Sequence, residues 1–310
     1  MSKIRFRMVL AVMVTIAGLA SVGYPQTNKF TFTSLDFPGG NLTTGRGINN
    51  HGDIVGAYRV NPPRHALLIK KGRYIPIAPD SILGINYSEA TNINDRGDIT
   101  GQMIDENGFV HGFLVIDGQV TILDVPGATD TFALGINDSG LVVGYWDLLD
   151  QNGNYLANLG FTWKDGAFID TQINFPDATG PLPGVGLFGV NSRGDLSGVW
   201  LPDLHGSIEH GFVCPKSAPC FSYDASVPGT VLTQGDGINA HAQVAGVSCD
   251  GVCHAFLLAG ATLTSFDFPG ATGTNAFGIN SAGQIVGKYF TADGLTHGFL
   301  AQPVRTGKPQ

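Results

Sequence analysis

The chain has 310 residues, 43% hydrophobic and 14% charged, with 44 glycines. That balance excludes a disordered chain, which buries too little apolar surface to fold, and the glycine content points to many tight turns. The formal charge of −8 speaks against duplex nucleic acid or anionic membrane surfaces as partners, because phosphate binding needs clustered cations.

At the N-terminus, Lys3, Arg5 and Arg7 precede an apolar run from Met8 to Ala20 and then small residues. This is the pattern of a secretory signal peptide over residues 1–23, and the run is shorter than the ~20 residues needed to span a bilayer. Loss of the leader moves the formal charge to −11, with no membrane span left in the mature chain. The expected setting is secreted or periplasmic, and the expected mature form is a monomer.

From residue 28 to residue 302 one unit is copied six times, ahead of a short tail at 303–310. Its signature is GINNHGDIVG at Gly47 to Gly56, which returns around Asn94, Asn137, Asn191, Asn239 and Asn280. Each copy carries four short apolar stretches separated by turn residues, as antiparallel strands do. One copy reads QVTILDV (Gln119 to Val125), a Pro-Gly loop, FALGIN (Phe132 to Asn137), an Asp138-Ser139-Gly140 turn and LVVGYW; HGFLVI (His111 to Ile116) typifies the fourth stretch. Tight hairpins are expected at Asp117-Gly118, Lys71-Gly72, Asp165-Gly166 and Gly260-Ala261. Four strands in about 43 residues is one propeller blade. The chain opens on an orphan strand at Phe30 to Phe37 and ends after His297 to Ala301, so the first strand is expected to complete the last blade. The reading is an all-β, six-bladed propeller of four-stranded antiparallel blades.

Counting outward from these turns sets His111 against Asp124 and His254 against Asp267, and pairing Cys214 with Cys220 across the longer CPKSAPC loop sets His210 against Asp224. Ring closure adds His297 against Asp36. A histidine facing an aspartate serves acid–base chemistry in many sites, and metal ligation is a further option. Four copies on the outer strands read first as structural pairs. One unit has His65 and Ala78 instead, and another has Leu159-Gly160-Phe161 where histidine is expected.

The four cysteines fall at cross-strand positions, so Cys214–Cys220 and Cys249–Cys253 disulfides are expected in an exported protein. A zinc site from Cys249, Cys253 and His254 is the rival, without an evident fourth ligand. Among the Asn/Asp turns, the loop holding Asp150, Asn152 and Asn154 is the best calcium candidate, although such residues also build ordinary turns. No other cofactor is indicated.

Departures from the repeat are Asp147 to Asn158, Asp177 to Pro183 and Leu201 to Glu209. All emerge on one face, nominated here as the ligand face with Trp146, Tyr155 and Trp200 as candidates for sugar stacking. Trp146 and Trp200 share a column with Tyr58 and Tyr289, which reads first as packing between blades. The recurring GINDxG phrase with HGF, or His254-Ala255-Phe256, resembles the extracellular HAF-repeat family of bacterial exported proteins from about Phe30 to Ala301. The resemblance implies an exported, propeller-like repeat protein without a defined activity. Function is read as binding or scaffolding toward a cell-surface polysaccharide or an exported protein. The alternative is a propeller glycoside hydrolase or lyase, for which no Gly-x-Ser-x-Gly or His-Glu-x-x-His motif is present.

Overall fold

The computed structural model describes residues 29–77, 87–170, 173, 184–202, 208–225 and 229–304. The leader, Ala78, the connection at 177–183, the middle of that at 201–209 and the tail beyond residue 304 lie outside the described residues. Among the described residues there is no helix, and so none long and apolar enough to cross a membrane.

In chain order, an opening strand β1 (Phe30–Leu35) is followed by β2 (Leu42–Ile48), β3 (Ile54–Arg59), β4 (His65–Lys70) and β5 (Arg73–Pro76). Next come β6 (Tyr87–Ile93), β7 (Ile99–Ile104), β8 (Val110–Ile116) and β9 (Gln119–Leu123), then β10 (Thr131–Ile136), β11 (Val142–Leu149), β12 (Tyr155–Lys164) and β13 (Ala167–Asp170). The second half holds β14 (Gly184–Val190), β15 (Leu196–Leu201), β16 (His210–Cys214) and β17 (Phe221–Tyr223), then β18 (Leu232–Ile238), β19 (Val244–Cys249), β20 (Cys253–Ala259) and β21 (Thr262–Phe266). The chain closes with β22 (Gly273–Ile279), β23 (Ile285–Phe290) and β24 (Thr296–Pro303).

These strands build an all-β propeller. Four separate four-stranded meanders, β6 to β9, β10 to β13, β14 to β17 and β18 to β21, form antiparallel blades. The count differs from the expected six separate sheets. The other eight strands form one sheet, because β2 and β24 share a parallel bridge at Leu42 and Thr296 that joins β22-β23-β24, with β1 on its far edge, to β2-β3-β4-β5. The opening strand lies antiparallel to the last one, from Phe30 opposite Pro303 to Leu35 opposite Gly298. That pairing covers an edge that would otherwise offer free backbone donors and acceptors.

The repeated letters have identifiable packing reasons. In five of the six third strands a glycine faces an aromatic ring from the fourth: a Cβ at Gly246 would lie 2.5 Å from the Phe256 ring, and Gly198 and Gly287 are covered in the same way by Phe212 and Phe299, whereas Gly56 stands opposite Leu67. Phe113, Phe161, Phe212, Phe256 and Phe299 are fully buried as a result. Burying one such ring contributes roughly 2–3 kcal/mol, so the Gly and Phe of the repeat act as one packing unit. Crossovers are fixed too. The backbone N–H groups of Phe37, Val125, Ala225 and Phe268 each donate to a buried threonine at the start of the next innermost strand, Thr43, Thr131, Thr233 and Thr274.

The hairpins at Lys71-Gly72, Asp117-Gly118 and Asp165-Gly166 have positive φ at both positions. At Gly260-Ala261 only Gly260 does, so this turn is of the type with glycine first, which keeps alanine out of the left-handed region.

Candidate functional site

The six innermost strands, β2, β6, β10, β14, β18 and β22, touch their neighbours in a closed circle around one axis, and the two ends of that axis differ chemically. At one end stands the asparagine of each repeat. Each side-chain amide donates to the backbone carbonyl of the next: Asn49 to Asn94, Asn94 to Asn137, Asn137 to Asn191, Asn191 to Asn239, Asn239 to Asn280 and Asn280 back to Asn49, all at 2.9–3.1 Å. Each side-chain oxygen meanwhile accepts backbone N–H groups within its own turn, as Asn191 does from Arg193 and Asp195. These turns need a left-handed residue three positions on, which is glycine everywhere except at Ala242, with φ of 55°. The asparagines are buried, and the ring borders a polar cavity of about 240 Å³ that also touches Asn50, Asp95 and Asp138. Those last three are occupied in a second layer: Asp95 accepts from Asn50 at 2.8 Å and Asp138 from the Asp95 backbone at 2.8 Å.

Toward the other end, every innermost strand carries a β-bulge three residues before its asparagine, leaving Arg46, Thr91, Leu134, Phe188, Asp236 and Phe277 without a cross-strand partner. A bulge re-aims its side chain and is common beside functional sites. Together with the residues two positions earlier, the circle divides into two arcs. Leu134, Phe132 and Phe188 make an apolar arc, in which Tyr145 stacks on Phe132 at 4.5 Å between ring centres. Arg46, Glu89, Gln234, Asp236 and Asn275 make a polar one, joined by Lys288 from β23 and by Arg64 and Glu209 from the rim.

Glu89 is the best-satisfied member. One oxygen accepts from Thr44 at 3.1 Å and lies 3.7 Å from Arg46; the other accepts from Tyr87 at 2.8 Å and lies 3.5 Å from Arg64. Burial pushes its pKa up, yet Arg46, Arg64 and the Tyr87 hydroxyl together hold it down to about 2. Asp236 is the opposite case. Burial pushes its carboxyl up to about 7 against the pull of Arg46 and Lys288. Its Oδ2 and the Oδ1 of Asn275 are shielded from solvent with no hydrogen-bond partner among the described residues. The Lys288 amine is lowered to about 8, by burial and then by Arg46, and lies 5.6 Å from the centre of the Phe277 ring and 5.3 Å from that of Phe290. Across the rim, Gln234 donates to Glu209 at 2.9 Å, in the positions equivalent to Glu89 and Arg64.

The residues singled out from sequence lie elsewhere. His111, His210, His254 and His297 place Nδ1 2.8–2.9 Å from Asp124, Asp224, Asp267 and Asp36 on the two outer strands. Aromatic rings stack beside them: Tyr289 lies between His297 and Phe268, with centroid separations of 5.0 and 3.7 Å, and Tyr58 lies over Phe37 at 3.8 Å near His65. In the unit where Leu159 replaces histidine, Leu159 stands opposite Trp146. The cysteines form disulfides Cys214–Cys220 and Cys249–Cys253, so Cys249 and Cys253 are not zinc ligands.

Residues 147–158 are a continuation of β11 and β12 around a tight turn. There the Asp150 carboxylate accepts from the backbones of Asn152 and Asn154 and from the Asn154 side chain, all at 2.8 Å. Its oxygens are thus already engaged in the turn, and no group of three or more His, Cys, Asp or Glu gathers as for a metal among the described residues. Trp146 and Tyr155 are half-buried, the Tyr155 hydroxyl donating to Asn158 at 2.6 Å. Trp200 is a correction to the expected platform: it is 2% exposed and stacked on His210 at 4.9 Å, so its face is covered by the protein itself.

The axial cluster was missed from sequence because its members come from different repeats. The available signal was the position before each Gly-Ile-Asn or Gly-Val-Asn, where Arg46, Leu134, Phe188, Asp236 and Phe277 differ while their surroundings repeat.

No family model matches the chain, and no curated protein matches it. Among solved structures, the Aleuria aurantia lectin in complex with alpha-methyl-L-fucoside aligns with a TM-score of 0.50 at 11% identity, over 89% of this chain and 99% of that one. A protein of unknown function from Dyadobacter fermentans aligns at 0.51 and 9% identity, over 90% and 96%. The β-propeller domain of the Trilobed protease from Pyrococcus furiosus aligns at 0.47 and 10% identity, over 87% and 99%. At these identities the likeness concerns the fold alone.

Proposed function

We propose that this chain is an exported binding propeller whose ligand enters the rim opposite the asparagine ring. The observation that carries the reading is the division of the axis: one end is repeated and hydrogen-bonded all round, while the other is irregular, part charged and part apolar, with shielded oxygens unanswered. An apolar wall beside a few convergent polar groups is the usual lining of a small-molecule or glycan site. On this reading the eight-stranded sheet works as two blades, which makes a six-fold ring, and the chain is a member of the HAF-repeat family. The two disulfides fit an oxidising compartment. That one solved structure of similar fold is a lectin bound to a fucoside is compatible with a glycan ligand.

Glycoside hydrolysis is less well supported. It needs one carboxyl that holds a proton and another free to attack or to activate water. Asp236 meets the first need, but both oxygens of Glu89 are engaged by Thr44, Tyr87 and the two arginines.

The test is a glycan array probed with the mature chain, with and without calcium, alongside two variants: Arg64→Ala, and one with residues 148–157 replaced by a short turn. Loss of binding in either variant is expected. Binding that survives both changes places the ligand away from this rim and overturns the reading.

A further inference from the structure

The polar arc has a definite donor and acceptor arrangement, and it differs from what a sealed core would show. A core filled only for stability pairs its polar atoms. Here Arg46, Gln234, Asp236, Asn275 and Lys288 are all half-buried, and within the arc Asp236 Oδ2 and Asn275 Oδ1 are left unanswered. Lys288 offers three N–H donors with two aromatic rings beneath it. Arg46 lies over Phe277 at 4.1 Å and stands 3.7 Å from Glu89, longer than a hydrogen bond, so its guanidinium has donors to spare. Two cations with available donors, two oxygens that accept, and the apolar side chains of Leu134 and Phe188 opposite are the complement of a molecule with one anionic group, several hydroxyls and one apolar face.

We propose that the axial rim binds a carboxylated saccharide of the uronate class, with its carboxylate on Arg46 and Lys288, its hydroxyls donating to Asp236 and Asn275, and an apolar ring face against Phe188 and Leu134. The assignment rests on the binding reading above and names its ligand class. The Arg46 and Lys288 charges stand out in a chain of net charge −8, so an anion that reaches them does so against the field of the protein. The requirement for hydroxyl contacts follows: charge alone would not hold a small inorganic anion here.

The experiment is calorimetric titration of the full mature chain with a galacturonate trimer, its fully methyl-esterified form and inorganic sulfate. Lys288→Met keeps the aliphatic stem and removes the charge; Asp236→Asn keeps the shape and alters the acceptor. The acid trimer is expected to bind at least 10-fold more tightly than the ester, sulfate not to compete, and both variants to lose at least 10-fold for the acid trimer while retaining the wild-type circular dichroism spectrum. Equal binding of acid and ester, competition by sulfate at equal concentration, or a wild-type affinity in both folded variants would overturn the ligand assignment. If the acid trimer fails but an array glycan of another class is lost on Arg64→Ala, the assignment falls and the binding rim stands. Failure of both tests removes the rim as well.

Discussion

At the asparagine end of the axis, six copies of one residue close a circle in which each amide has donors and acceptors assigned, and the same geometry recurs in each unit. At the opposite rim the same six strands present arginine, glutamate, phenylalanine, leucine, glutamine, aspartate and asparagine, with shielded oxygens left over. The backbone repeats round the circle at both ends, so the difference lies in what the side chains of each end must do. Repetition serves closure, since any gap in the ring would leave buried amide groups unpaired at about 1–3 kcal/mol each. Irregularity at the rim breaks that rule at a stability cost, which is a pattern expected of sites kept for another molecule.

The sharpest way to break this contrast is to cut the scaffold without touching the rim. Phe256→Ala opens a cavity over Gly246 and should cost about 3–5 kcal/mol in chemical denaturation, with ligand affinity unchanged for the folded fraction; a loss below about 1 kcal/mol would show that the Gly–Phe unit is not what holds the blades. Asn191→Ala removes acceptors for the backbones of Arg193 and Asp195 and the link to Asn239. A cost of about 2–4 kcal/mol is expected, again without an effect on binding.

Rim substitutions should behave in the opposite sense. Asp236 keeps its proton up to about 7 in the folded chain but releases it around the ordinary 3.8 when unfolded. The folded state therefore binds more protons between those values, and stability falls as pH rises through them. Asp236→Asn should leave stability nearly unchanged at pH 4 and raise it at pH 8, by up to about 4 kcal/mol, while weakening the ligand; thermal unfolding at the two pH values measures this, and equal stability at pH 8 would count against the carboxyl being held in an unfavourable site. Lys288 acts over a different window, since its lowered value of about 8 against an ordinary 10.5 makes its own contribution improve as pH rises between the two. The smallest effect is a gain at the repeated end. Ala242 occupies the left-handed position that glycine fills in the other turns, so Ala242→Gly should stabilise by up to about 1 kcal/mol, and a measured loss would mean the turn is not strained there.

Much of the scaffold was readable because it depends on local counting. A two-residue turn sets the pairing of everything outward from it, which is why His111 could be matched with Asp124 and, through closure, His297 with Asp36 across 261 residues. The rim could not be reached in that way. Arg46, Glu89, Asp236 and Lys288 belong to four different units, and the bulges that aim Arg46 and Asp236 leave both outside the ladder on which counting relies. Trp200 misled for a related reason: an aromatic beside an irregular loop resembles a platform until the stacking of His210 on its face is seen. The sheet count differed because a single bridge between Leu42 and Thr296 joins units that turn chemistry alone keeps apart.

The pairing of the first strand with the last also decides how the molecule faces the world. Lys29 and Val304 share a backbone hydrogen bond of 2.8 Å, and Pro303 lies beside Gly283 in one of the asparagine turns. Both ends of the described chain therefore leave side by side from the outer edge at the asparagine end of the axis. A tether fused at either end, or a bead coupled there, grips the molecule from behind and leaves the charged rim pointing away from the support.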